Sequence, residues 1–176
     1  MSPITLPAVT ELLIARHGET DWNRERRWQG HADPPLNELG RAQARELADA
    51  LVGERLEAIY ASDLRRAYET AEIVGARLGV PVTSDPGLRE IDVGSLSGLT
   101  REQLEGREWD GETPEAHGGR VLQSVREITR EHPLGRVLVV THGGSLRRVF
   151  EAIGETEGRP AAGNCEVYRV SYQQLD

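Results

Sequence analysis

The stretch Glu11-Leu12-Leu13-Ile14-Ala15-Arg16-His17-Gly18 (11–18) decides the fold. Its apolar residues run without polar alternation, as in a strand buried on both faces, and the run stops at a His-Gly pair. Residues 136–144 repeat the pattern: Val137 to Val140 form the clearest strand core in the chain, and it ends at Thr141-His142-Gly143-Gly144. In an open α/β sheet, ligands bind outside the carboxyl ends of strands, where the strand order switches. Two histidines at such ends, each followed by a glycine that lets backbone approach closely, mark a candidate site.

Outward from these two strands, helices and strands alternate. Asn37 to Leu51 predicts a helix capped by Asn37, with Leu39, Ala42, Leu47 and Leu51 on its buried face. Ala58 to Ala61 predicts a second strand. Leu64 to Leu78 predicts a helix closed by Gly79, and Pro81 to Thr83 an edge strand. Glu115 to Arg130 carries helical spacing in Val121, Leu122, Val125 and Ile128; Ser145 to Ile153 is a helix closed by Gly154; Glu166 to Tyr172 alternates Val167, Tyr168, Val170 and Tyr172 as a last strand. That order predicts an α/β fold, a three-layer α/β/α sandwich with a mostly parallel central sheet, in one domain over residues 1–176. The polar segment Gly94 to Gly119, with Trp109 and Pro114, predicts a partly helical flap over one end of the sheet.

Composition narrows the function. A chain of 176 residues can bury a sizeable core as one domain. The net charge of −8 argues against nucleic acid or an anionic membrane as the partner. The single cysteine, Cys165, excludes an intramolecular disulfide and a Cys-rich zinc site, and reads as a small packing residue. All 21 basic residues are arginine. The absence of lysine excludes Schiff-base chemistry and a P-loop. Arginine is left as the fixed cation, and its planar fork bonds two phosphate oxygens at once. A GC-rich coding bias accounts for the missing lysine better than function does, but the exclusions hold either way. Met1 to Thr10 shows no basic, apolar leader, and no apolar run approaches the ~20 residues of a membrane span, so a cytoplasmic location is expected.

Arginines select among the reactions that two histidines can run. Arg16 adjoins His17, and Arg65 and Arg66 open the helix after the second strand, where free N–H groups favour phosphate. A neutral imidazole can attack phosphorus and carry the phosphoryl group. Arginines stabilise the charge on the equatorial oxygens and disfavour imidazolium. A carboxylic acid must then protonate the leaving alkoxide. Glu90, in Leu88-Arg89-Glu90-Ile91-Asp92, is the first candidate and Asp92 the second.

Several motifs, in order along the chain, resemble one family. They are Arg16-His17-Gly18-Glu19-Thr20, Trp22-Asn23, Gln29-Gly30, Leu36-Asn37-Glu38-Leu39-Gly40, Ser62-Asp63-Leu64-Arg65-Arg66-Ala67 with Thr70-Ala71, Leu88-Arg89-Glu90, Gly94 with Leu96 and Gly98, and Val140-Thr141-His142-Gly143-Gly144. The set resembles the histidine phosphatase superfamily, in its phosphoglycerate mutase-like branch (branch 1). The resemblance implies His17 as the nucleophile that becomes phosphohistidine, with Arg16, Arg66 and His142 completing the phosphate pocket. It implies Glu90 as proton donor and later as the base that activates water. Asn23 matches a pocket asparagine, and Gln29 and Gly30 match positions bordering the substrate. Gly143 is the glycine that brings backbone close to the ligand. The family uses no metal, and no cofactor is expected.

Two departures favour a phosphatase over a mutase. About twenty residues separate Gly98 from Gly119, too few for the basic insertion of the classical mutases, and Val93 stands where the mutase pattern has tyrosine. The expected function is metal-independent hydrolysis of a small phosphorylated metabolite; the alternative is a 2,3-bisphosphoglycerate-dependent phosphoglycerate mutase. Many phosphatases of the family show Gly-Gly-Glu-Ser where this chain has Gly118-Gly119-Arg120-Val121. Arg120 is therefore a candidate for binding a second anionic group of the substrate. His117 is a further candidate at the pocket border, while His31 and His132 read as surface histidines. A metallohydrolase, a silent phosphate-binding module and a protein phosphatase remain as competing readings; Arg16 and Arg66 oppose the first by repelling a cation. The expected partner is a small phosphorylated substrate, with no nucleic acid and no membrane. A homodimer stays open, with Trp28, Trp109 and Phe150 assigned either to an interface or to core and flap packing.

Overall fold

The computed structural model describes residues 9–155 and 162–173. Most of the Met1–Thr10 stretch, read above as free of a targeting leader, lies outside them, and so does the side chain of Tyr172. Among the described residues one five-stranded sheet has the order β3-β2-β4-β1-β5, built from β1 (Val9–Arg16), β2 (Ala58–Ala61), β3 (Val82–Ser84), β4 (Arg136–Thr141) and β5 (Val167–Gln173). Every neighbouring pair is parallel except β1 with β5. The α-helices are α1 (Asp21–Arg24), α2 (Glu38–Ala50), α3 (Arg65–Leu78), α4 (Pro114–Glu131) and α5 (Gly143–Ala152). None of the described helices is long and apolar enough to cross a membrane.

Strand alternation sorts the core into two layers. Leu13, Ala15, Leu138 and Val140 point to the face covered by α2 and α3, where they meet Leu47, Ala48, Ala67, Ala71 and Val74. Leu12, Ile14, Val137 and Val139 point the other way, against Val121, Val125 and Ile128 of α4 and Leu146, Val149 and Phe150 of α5. Both faces are buried, which is why β1 and β4 read as continuous apolar runs. Each core Leu or Ile buried here contributes about 1.5–3 kcal/mol relative to exposure.

The topology also creates the site. The chain leaves β1 for α2 on one face and leaves β4 for α5 on the other, although the two strands are neighbours. Their diverging connections open a crevice at the carboxyl ends of the adjacent strands, where His17 and His142 sit.

Some details differ from the sequence reading. In α2 the buried stripe is Gly40, Ala44, Leu47 and Ala48; Leu39 is 52% exposed and Ala42 only partly covered. The stripe is turned by the first turn of α2 pressing on the loop after β1. A Cβ on Gly40 would stand 2.1 Å from the Glu19 carbonyl oxygen, and one on Gly18 would stand 2.4 Å from the Gly40 carbonyl oxygen. Gly18 thus admits the backbone of α2, not a ligand. Asn37 caps the helix as expected, accepting from the Gly40 N–H at 2.8 Å. The flap ends earlier than expected: two 3-10 turns, Gly94–Leu96 and Arg101–Leu104, lead to Thr113, which caps α4, so residues 114–119 belong to that helix. Cys165 packs under the sheet, and burial pushes its thiol up to about 12, as suits a packing residue.

Two glycine substitutions of opposite sign test this geometry. Gly40→Ala gains helix propensity but forces a methyl into backbone; overpacking of about 1–3 kcal/mol outweighs a gain of about 1 kcal/mol, so thermal denaturation should show a loss. Gly119→Ala, on the exposed face of α4 with nothing within 4 Å of its Cβ, should raise stability by up to about 1 kcal/mol. Equal shifts for the two would contradict the packing described.

Candidate active site

His17 closes β1, and its N–H donates to the Thr141 carbonyl at 2.9 Å, extending the β1–β4 ladder by one rung. The histidine is 2% exposed. Its Nδ1 lies 2.7 Å from the Gly18 carbonyl oxygen. A carbonyl only accepts, so Nδ1 carries the proton and Nε2 carries the lone pair. Burial is the main cause that pushes the His17 imidazole well below its ordinary value, and the guanidiniums of Arg66 and Arg16 add to it. The result is a neutral imidazole of fixed tautomer at the cavity wall, the form that can act as a nucleophile.

The arginines are held from behind. Arg66, in the first turn of α3 and 1% exposed, donates to the carbonyls of Ala32 at 2.8 Å and Gly30 at 2.9 Å. Arg16 donates to the Ala162 carbonyl at 2.8 Å. The Nε atoms of both side chains are buried and have no hydrogen-bond partner among the described residues. Native proteins rarely leave such donors unsatisfied without a functional reason. Burial lowers the Arg66 guanidinium to about 10, still a cation near neutral pH.

Glu90 reaches the same cavity from the loop after β3. Its carboxylate accepts from the N–H of Ile91 at 3.0 Å and of Gly144 at 2.9 Å. A Cβ on Gly144 would stand 2.2 Å from Glu90 Oε1, so this glycine is required for the approach. Asp92, the second candidate acid, is taken out of contention by geometry: it does not line the cavity, and its carboxylate caps the Gly94 N–H at 2.9 Å.

Asn23 and Gln29 line the cavity, both fixed by Thr20, whose hydroxyl lies 3.1 Å from each amide oxygen. Gly143 also lines it. His142 stands beside His17, with ring centroids 5.2 Å apart, but is wholly buried and does not line the cavity; its Nε2 is 2.9 Å from the Ser62 hydroxyl. Its Nδ1 is a third buried nitrogen with no partner among the described residues.

Four expectations are corrected. Gly30 does not border the cavity; it adopts φ +50 behind the site and offers its carbonyl to Arg66. The start of α3 is not open to phosphate, because Asp33 Oδ1 accepts from the Arg65 N–H at 2.7 Å. His117 is buried behind Glu90, not at the border: its Nε2 is 3.0 Å from the Ser145 hydroxyl and 3.9 Å from Glu90 Oε1. Arg120 neither lines the cavity nor points to solvent. It pairs with Glu112 at 2.7 Å and donates to the carbonyls of Gly87, Arg89 and Glu90. With its donors committed, it holds the backbone that presents Glu90. His31 supports the same carbonyl from the other side, 2.9 Å from Nε2.

Two supports were assigned no role from the sequence, although Thr70 stands in one of the motifs quoted above. Thr70 accepts from the Gly18 N–H and donates to the Arg66 carbonyl, tying the loop after β1 to α3. Asn164, in the turn before β5, donates to the His17 carbonyl at 2.9 Å. Among the described residues no three His, Cys, Asp or Glu side chains converge as metal ligands do.

Two measurements test this account. In Arg120→Ala, kcat should fall roughly tenfold through displacement of Glu90 while KM changes little; a large rise in KM with kcat intact would instead make Arg120 a substrate ligand. By 15N NMR, the His17 imidazole should stay neutral as pH falls from about 7.5 to 5.5, because its folded-state value is depressed. The unfolded chain takes up that proton near 6.5, so this residue also makes stability fall with acidification below that value. Protonation of His17 near 6.5 in the folded protein would contradict the burial argument.

The comparisons agree with this geometry. The model of the histidine phosphatase superfamily (branch 1) matches residues 12–175. "Phosphoglycerate mutase-like protein 4" of Arabidopsis thaliana is 35% identical over 175 residues, covering 89% of this chain and 74% of that protein. "Metal-independent phosphoserine phosphatase" of the same plant is 37% identical over 161 residues, covering 81% and 68%. The solved structure of Bacillus stearothermophilus YhfR superposes with a TM-score of 0.86 at 32% identity, covering 95% of this chain and 96% of that one. On the family model over residues 12–175 and these relatives, the chain belongs to the histidine phosphatase superfamily, branch 1, and is an enzyme of that family.

Proposed function

We propose that the protein hydrolyses a small phosphomonoester through a phosphohistidine on His17, without a metal. One observation carries the reading: a neutral, tautomer-fixed imidazole lies with two guanidiniums whose buried Nε donors have no partner among the described residues. A phosphoryl group would supply acceptors for them, and its charge would offset the two cations.

The steps follow from these positions. Arg16 and Arg66 bind the phosphoryl oxygens and stabilise their charge in the transition state. Nε2 of His17 attacks phosphorus, the bond to the leaving oxygen breaks, and Glu90 in its acid form delivers a proton to that oxygen. The released alcohol departs. Glu90, now a carboxylate, takes a proton from water, whose oxygen attacks the phosphohistidine; inorganic phosphate leaves and His17 is restored. The Gly18 carbonyl holds the imidazole in position throughout. Two guanidiniums beside His17 would repel a metal cation.

The mutase alternative draws support from the mutase-like relative, but the short flap disfavours it. A mutase must hold a bisphosphate while it reorients away from water, and among the described residues the flap over 94–113 holds just two short 3-10 turns.

Phosphate release from p-nitrophenyl phosphate and 3-phosphoglycerate in excess EDTA tests the reading. Release should persist in EDTA and fall at least roughly a thousandfold in His17→Ala. Loss in EDTA, or retention in the variant, would overturn it. Isomerisation of 3-phosphoglycerate without phosphate release would establish the mutase.

A further inference from the structure

The cavity is about 880 Å3, far more than a phosphoryl group needs. Arg16, His17, Arg66 and Glu90 occupy one part of it. The remainder has an apolar wall of Trp28, Val93, Trp109, Pro114, Leu146 and Phe150, and a charged side with Arg27, Arg147, Arg148, Glu151 and Glu155. From this we propose that the cavity holds an apolar subsite for the leaving group, in which Trp28 and Trp109 bind an uncharged, aromatic ring-bearing alcohol. The inference rests on the phosphatase reading and names the substrate class it acts on.

Three observations support it. First, the two indoles meet edge to face, with centroids 6.1 Å apart and planes at 69°. Both remain substantially exposed, at 39% and 43%, although both line the cavity. Two aromatic walls at such an angle suit a third ring, stacked on one and meeting the edge of the other.

Second, the Trp109 indole and the Trp28 backbone are held in place before any ligand arrives. The Trp109 Nε1–H donates to the Glu112 carbonyl at 3.2 Å, so its one polar atom is already satisfied. The N–H of Trp28 donates to the Leu99 carbonyl and its carbonyl accepts from the Gly98 N–H, tying it to the flap. Asp110, next to Trp109, accepts from the Ser95 N–H at 2.9 Å. Preorganised aromatic surface of this kind costs little side-chain entropy on binding.

Third, the arginines of the outer part already contact carboxylates, Arg147 and Arg148 sharing one. Arg27 is spent on Glu25 and the Gly98 carbonyl, while Arg147 and Arg148 both pair with Glu151. Arg120, the residue first read as a site for a second anion, is bound to Glu112 behind Glu90. Among the described residues, the arginines lining the outer cavity therefore already have carboxylate partners.

The test compares 2-phenylethyl phosphate with ethyl phosphate, whose leaving alcohols have similar basicity, and with 3-phosphoglycerate. Wild-type kcat/KM should favour the phenylethyl ester at least tenfold over both. Trp28→Ala and Trp109→Ala should each lower that preference at least fivefold, and Trp109→Phe should restore most of it. Equal turnover of the two esters, a preference for 3-phosphoglycerate, or a loss in the variants that is the same for both esters would overturn the subsite. Calorimetric binding of 2-phenylethylphosphonate against ethylphosphonate reads the subsite without turnover. A tenfold preference there with no phosphate release from any ester would leave the subsite standing and sink the phosphatase reading. Equal phosphonate affinities would sink the subsite alone.

Discussion

The parallel pairing of β1 with β4 is the constraint on which the rest depends. It runs in register from Glu11 opposite Arg136 to Arg16 opposite Thr141 and is continued by the His17 N–H to the Thr141 carbonyl. One register thereby brings His17 and His142 side by side. A slip of one residue would turn every core side chain of β1 to the wrong face, so the hydrophobic sorting of Leu12, Leu13, Ile14 and Ala15 between the two layers also fixes the spacing of the histidines. The apolar core and the reactive site are specified by the same residues of the same strands.

Around His17, charged and polar groups are buried without their usual partners among the described residues. Arg66 is 1% exposed, and the nearby Arg16 shares its pocket. Burying cations is costly unless other groups compensate. The carbonyls of Gly30, Ala32 and Ala162 compensate in part, and the Nε donors remain for a phosphoryl group. Proteins tolerate such unsatisfied groups at functional sites because stability is supplied elsewhere. Here the two apolar layers supply it.

Much of the fold was legible because both main strands are buried on two faces and their helices carry conventional stop signals: Asn37 before α2, and Gly79 in the left-handed conformation after α3. The orientation of α2 was not legible. It depends on two glycine backbones, Gly18 and Gly40, meeting across the chain, and periodicity does not report such contacts. In the site, the residues at strand ends were readable because two matching apolar runs each end in a His-Gly pair. Arg120 was misread because its sequence position gives its place on α4 but not the Glu112 carboxylate and the row of carbonyls that receive its guanidinium. The contacts of Thr70 and Asn164 were unreadable for the same reason: each acts on the loop after β1 from a distant part of the chain.

The central claim is that His17 carries the phosphoryl group. The most direct measurement is intact-mass spectrometry of the enzyme quenched in alkali during turnover of p-nitrophenyl phosphate, followed by peptide mapping. The account predicts the added mass of one phosphoryl group, on the peptide containing His17. Steady-state turnover with phosphate on no residue, or on a residue other than His17, would contradict it.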